Sequence, residues 1–219
     1  MDSLLSFLTN INVVFYLVGY VVGGMPFGYW LVRAVYKVDV TAHGSGGIGA
    51  TNVVRVLKNI NPSKAKRMGA LVLVLDLVKG VFCVLLAKLA GLNYAAQWMV
   101  AITTILGHCY SPFLNFKGGK GVSTTMGAVL LLIPVESLIG LALWAAIGKG
   151  LKISSLASIV GVGTATILIF FMPKFLPAPI NIVHEVGTQT PMVLIFIFTL
   201  YKHWGNVLNL LGGKEGKIL

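Results

Sequence analysis

Two short stretches bring bare backbone and cationic side chains together in the way an anion requires. In HGSGGIGATNVVRVLK, His43 to Lys58, four glycines (Gly44, Gly46, Gly47 and Gly49) stand within six residues beside the Ser45 hydroxyl. Closely spaced glycines admit positive φ and let successive amides face one ligand. The following TNVVRVL reads as a helix that brings in Thr51, Asn52 and Arg55. In FKGGKGVSTTMG, residues 116 to 127, Gly118, Gly119 and Gly121 surround Lys120 just before a helical run, with Lys117 close by. Amides and ammonium groups then meet at the positive end of a helix. Phosphate is the natural guest of both stretches. Neither fits the nucleotide P-loop, which needs Gly, four residues, Gly-Lys and then Ser or Thr. A flexible polar loop would account for the first stretch alone, and a snorkelling basic loop that fixes topology for the second. Two such loops on one face weaken both bland readings.

The elements that must position these loops are membrane-like. The chain is 57% hydrophobic and 11% charged, with a mean hydropathy of +0.89, against about 45–50% and about 25% for soluble domains. Its 219 residues hold several spans and no added soluble domain, so residues 1–219 are expected to form a single polytopic domain. The net charge of +11 fits topology and anionic ligands, and no basic run with interleaved aromatics suggests a nucleic-acid partner. No metal and no cofactor are expected. The N-terminal stretch, with Asp2 and no basic leader, resembles a first span more than a cleaved signal peptide.

Seven apolar segments can be drawn: about Ile11 to Leu31, Met68 to Leu89, Ala95 to Leu114, Val122 to Pro134, Val135 to Ile147, Ser154 to Met172, and Thr188 to Leu200 with a helical extension. The fourth and fifth are short, and residues 130 to 144 could instead form the middle of one span. Cytoplasmic loops collect Lys and Arg. Seven spans put fourteen of these residues inside and only Lys88 and Lys174 outside, whereas six spans give ten against six. The expected fold is therefore an all-α integral membrane protein with seven transmembrane helices, a hairpin at PVE, the N-terminus outside and the C-terminus cytoplasmic. Cys83 and Cys109 then lie near opposite faces, which excludes a disulfide.

Other polar residues fall on the same inner face. His108 next to Cys109 suggests a nucleophile pair, but adjacent helical residues point about 100° apart, so His108 reads as a hydrogen-bond partner and Cys109 as packing. Asp76 and Lys79, three apart, can pair on one helix face inside the membrane. In KISSLASI, Ser154 or Ser155 can cap a helix while the other reaches a ligand. His203 and Asn206 share a helical face near the C-terminus, with Glu215 beyond Gly212 and Gly213.

Taken together, GSGGIGATNVVR, GHCYSPFLNFKGGKGVST, KISSLASI and HWGNVLNLLGGKE closely resemble the bacterial acyl-phosphate:glycerol-3-phosphate acyltransferases, the PlsY family. GGMPFGYWLVR and DLVKG extend the likeness over nearly the whole chain. The resemblance implies a seven-helix enzyme of the bacterial inner membrane, acting at its cytoplasmic face in phospholipid synthesis. Its substrates would be acyl phosphate and sn-glycerol 3-phosphate, its products lysophosphatidic acid and phosphate. It further implies that Ser45, Arg55 and Lys120 are essential, and that Ser155, His203, Asn206 and Glu215 fill the remaining polar positions. Two residues depart from the family pattern: Gly47 stands where Asn is usual and Asn209 where Arg is usual.

The residues agree with that chemistry. Two phosphate-bearing substrates explain two cationic glycine loops, and few carboxylates are available as a base, so a substrate phosphate is expected to take the hydroxyl proton without an acyl-enzyme. Thioester-dependent relatives in function use a His with Asp five residues on, but Ile48, Phe113, Gln189 and Leu208 stand five residues after the four histidines. A phosphate or organophosphate transporter is the rival class, although transporters usually hold their site at midplane in broken helices.

Overall fold

The computed structural model describes residues 9–216. Asp2 and Lys217, which entered the signal-peptide and charge arguments, lie outside the described residues. Among the described residues the chain is helical, with strand-like pairing limited to one Ser111–Lys117 bridge. The helices are α1 Ile11–Gly24, α2 Phe27–Tyr36, α3 Ala50–Lys58, α4 Pro62–Leu89, α5 Tyr94–Cys109 and α6 Val122–Leu130, followed by α7 Pro134–Gly150, α8 Ser154–Leu168, α9 Ile182–Val186, α10 Thr190–Lys202 and α11 Trp204–Leu211.

Local chemistry sets many of these ends. Asparagine side chains at 10, 61, 93 and 181 accept from first-turn amides and so start α1, α4, α5 and α9. Pro26 has no amide to donate, and the first apolar segment divides there into α1 and α2. The fourth and fifth segments also divide: α6 stops at Leu130 and Pro134 is the first residue of α7. The turn thus lies at 131–133, just before PVE. The long stretch 173–187 is folded, with two single 3-10 turns and α9, and Ile182 is buried in the core.

Three helical stretches are long and apolar enough to cross a membrane: Ile11–Tyr36, Pro62–Leu89 and Ser154–Lys174. Thr190–Lys202 is a shorter apolar helix. In α4, Leu71, Val74, Val78, Phe82, Leu85 and Leu89 form an exposed apolar stripe at helical spacing, while Asp76 and Lys79 are buried on the other side. That polarity is inverted relative to a soluble helix. Close backbone approach holds the bundle together, as expected where lipid offers no hydrophobic drive between helices. A side chain on Gly23 would strike the Thr104 carbonyl of α5, and one on Gly80 would strike the Thr124 carbonyl of α6. Both cysteines are free and buried, as expected.

Candidate active site

Four distant parts of the chain meet in one pocket at one end of the bundle: the loop into α3, the loop into α6, the start of α8, and the α10–α11 junction with the tail after it. The chain leaves this pocket at the start of α6 and is back at it by Ser154, so α6 and α7 together make an excursion and a return. The transporter reading asked for a midplane site; here three of the four segments contribute helix starts.

Those three starts share a feature. The positions before α3, α6 and α8 are Gly49, Gly121 and Ile153, and none provides a side-chain cap. One of Ser154 and Ser155 was expected to cap α8, but neither does. Ser154 shares a hydrogen bond with the Thr51 hydroxyl at 2.8 Å, and Ser155 donates to Glu215 Oε1 at 2.6 Å. An uncapped start leaves first-turn amides without acceptors. Among the described residues, the amides of Lys120, Gly121, Val122 and Ser123 donate to no protein group, and all four residues line the pocket. Free amides at the positive end of α6 have the chemistry that an anion requires.

The first glycine loop is built differently from what its spacing suggests. Asn52, 3% exposed, organises it: Oδ1 accepts from the Ser45 amide at 2.8 Å, while Nδ2 donates to the carbonyls of Val40, His43 and Gly47. Gly44 and Gly46 take left-handed φ of 63° and 68°, and a side chain on Gly44 would strike Asn52. The Gly46 amide donates to His43. These two glycines therefore shape the loop and do not line the pocket, which Ser45, Gly47, Thr51, Asn52 and Arg55 do. In the second loop Gly119, Lys120 and Gly121 line the pocket, but Gly118 and Lys117 do not. Left-handed Asn115 and Phe116 turn the chain so that Lys117 is exposed, and Gly118 lies against the His108 carbonyl. The Gly119 amide donates to that same carbonyl, so it is not free for a ligand.

Lys120 Nζ donates to Asn206 Oδ1, and Asn206 Nδ2 donates to Glu215 Oε1 at 2.7 Å. With Ser155 this makes a chain of contacts that ties the tail to the glycine loop. Burial alone would raise the Glu215 carboxyl, but hydrogen bonds from Ser155 and Asn206 and the Lys120 charge outweigh it and hold the group below its ordinary value. Burial pushes Lys120 down, with Glu215 opposing. Among the described residues neither Arg55 nor Lys120 has a carboxylate within salt-bridge distance. His203 sits at the break between α10 and α11, buried, with Nδ1 donating to the Thr199 carbonyl at 2.9 Å. Burial, with a further push from Lys120, takes its imidazole down to about 4 against the opposing Thr199 bond.

The pocket also includes Ser123, Trp144 and Ser158, which sequence reasoning did not single out. Ser123 follows directly from its place in the first turn of α6. Trp144 and Ser158 had no local signal, because only tertiary packing of α7 and α8 brings them in.

The profile of the family described as glycerol-3-phosphate acyltransferase matches residues 13–213. The chain belongs to the glycerol-3-phosphate acyltransferase family. A family member from Helicobacter acinonychis is 68% identical over 220 residues and one from Helicobacter pylori 67%, each alignment covering 100% of both chains. The crystal structure of PlsY, an integral membrane glycerol 3-phosphate acyltransferase, in its glycerol 3-phosphate form superimposes with a TM-score of 0.79 at 30% identity over 94% of each chain. Its lysophosphatidic acid form gives 0.75 at 28% identity. With its long apolar helices, this acyltransferase-family chain is a membrane protein. Its two departures from the usual pattern are accommodated locally. Asn209 adds to the interactions that hold the Glu215 carboxyl low, and the space beside Gly47 is open, with only Ser45 Oγ 3.7 Å from where a Cβ would lie.

Proposed function

We propose that the protein transfers an acyl group from acyl phosphate to the 1-hydroxyl of sn-glycerol 3-phosphate, giving lysophosphatidic acid and inorganic phosphate. One observation carries this reading: uncapped helix starts and two cations without carboxylate partners converge in a single pocket. One phosphate group would satisfy one such start, and two substrates would satisfy those of α3 and α6. The glycerol oxygen attacks the acyl carbonyl carbon, the bond from that carbon to the bridging phosphate oxygen breaks, and phosphate leaves with its electron pair. Arg55 and Lys120 align the two phosphates and stabilise charge in the transition state, and Ser45, Asn206 and Glu215 hold the loops that present them.

The hydroxyl proton goes to a substrate phosphate oxygen. Glu215 is held below its ordinary value, and the open Nε2 lone pair of His203 belongs to an imidazole pushed down to about 4, so both are weak bases. A phosphate monoester, with its second pKa at about 6, is stronger than either. The value of kcat/KM should therefore fall about tenfold per pH unit below about pH 6 as the substrate gains its second proton. A profile flat down to about 4 would make His203 the base.

We place the site at the cytoplasmic face of a bacterial inner membrane, with seven spans, the N-terminus outside and the C-terminus inside. The inward bias of Lys and Arg supports this orientation. Helices α6 and α7, at about 14 and 26 Å, would lie among longer neighbours or meet a thinned bilayer. Single-cysteine variants at Ser45 and Ser155 should label from the cytoplasm and one at Glu185 from outside. Cytoplasmic labelling at 185 would refute the arrangement.

A further inference from the structure

Beneath the pocket floor lies a buried cluster that the transfer scheme does not use. Lys79 Nζ has three polar neighbours: Asp76 Oδ1 at 2.8 Å, His108 Nδ1 at 2.9 Å and the Met25 carbonyl at 2.9 Å. The chain breaks at Pro26, and the Met25 carbonyl there accepts from both the Phe27 amide and Lys79. The Phe27 ring lies 5.5 Å from Nζ and adds its electron-rich face. An ammonium has three N–H donors and no lone pair; Lys79 hydrogen-bonds the Met25 carbonyl and His108 Nδ1 and pairs its charge with Asp76. His108 Nδ1 must then accept through its lone pair. With Lys79 as an ammonium, the ring is neutral and its proton is left to Nε2.

Nε2 faces the glycine loop. A side chain on Gly119 would collide with it, and no hydrogen bond from Nε2 to a protein group is present among the described residues. His108 and Asp76 both line the pocket, beside the free amides of Lys120 to Ser123. We infer that Lys79 is a positioning residue: by occupying His108 Nδ1 it fixes the Nε2–H tautomer and gives the anion site a neutral N–H donor. The order of groups decides the outcome. Asp76 lies 3.5 Å from Nδ1, and if it alone faced the ring, Nδ1 would carry the proton and Nε2 would turn a lone pair toward the phosphate. Lys79 between them inverts that choice, and Asp76 balances its charge. Beyond these two, Lys202 approaches the ring from α10, its Nζ 3.5 Å from the neighbouring Cys109 carbonyl.

The tautomer is read by NMR of protein in detergent with ring-labelled histidine. The chain has four histidines, and a His108→Gln variant identifies the signal. Wild-type His108 should be Nε2–H at neutral pH. In Lys79→Met, the ring should donate to Asp76 and the signal should change to Nδ1–H, with kcat at least about tenfold lower. The role of the donor toward phosphate rests on the acyl-transfer reading, but the tautomer does not and is measured without substrate. Should Lys79→Met fail to fold, the wild-type spectrum alone still decides. An Nδ1–H or doubly protonated wild-type ring would overturn the inference. So would a Lys79→Met protein that keeps Nε2–H, or one that changes tautomer with unchanged turnover.

Discussion

Lys120→Ala should lower turnover at least about 10²-fold, and Arg55→Ala should do the same. Each removes a preorganised cation from a pocket where it has no carboxylate partner among the described residues, so charge developing on the leaving phosphate loses a donor aimed at it. The two losses should differ in kind. Lys120 Nζ also holds Asn206, which holds Glu215, so its removal should loosen the tail that closes the pocket and raise KM as well. Arg55 makes no side-chain hydrogen bond to the rest of the protein among the described residues, and its loss should fall on the chemical step. Lys174→Ala, exposed in a single turn away from the pocket, should leave turnover unchanged. Near-wild-type turnover in Arg55→Ala with undiminished phosphate affinity would remove that residue from the site.

Much of this site was legible because its signals are local. Glycines next to cations at a helix start can be read within a dozen residues, and Ser45, Arg55, Lys120, Ser155, His203, Asn206 and Glu215 do line one pocket. Local reading failed where a group finds its partner far along the chain. Thr51 and Ser154 are 103 residues apart, Lys120 and Asn206 are 86 apart, and Ser155 and Glu215 are 60 apart. A serine whose partner is so distant looks like a helix cap. Spacing also cannot say which amides remain free: those of Ser45, Gly46 and Gly119 donate to Asn52, His43 and His108. Lys117 has the right residue type near the right loop, but two left-handed residues before it direct the chain elsewhere.

The fold shows the same division. The break at PVE was readable from the sequence, whereas the division at Pro26 was not, and the long stretch after α8 folds into turns and α9, which packs Ile182 into the core. Its hydrophobic residues were too few and too interrupted by proline to show a period.

The choice of acyl donor bears most directly on the proposed chemistry. A thioester donor requires a base for the hydroxyl and a surface for a bulky carrier. The buried carboxylate Asp76 is occupied by Lys79, and Glu215 is held by Ser155 and Asn206, so neither is free to act as that base. An acyl phosphate would bring its own phosphate to an uncapped helix start while its chain stayed among the helices, and sn-glycerol 3-phosphate would enter from water. Purified protein in detergent, where transport has no compartments to act between, should form lysophosphatidic acid from palmitoyl phosphate and glycerol 3-phosphate and give no product from palmitoyl-CoA. Comparable rates with the two donors, or no product with either, would contradict acyl transfer from a phosphate.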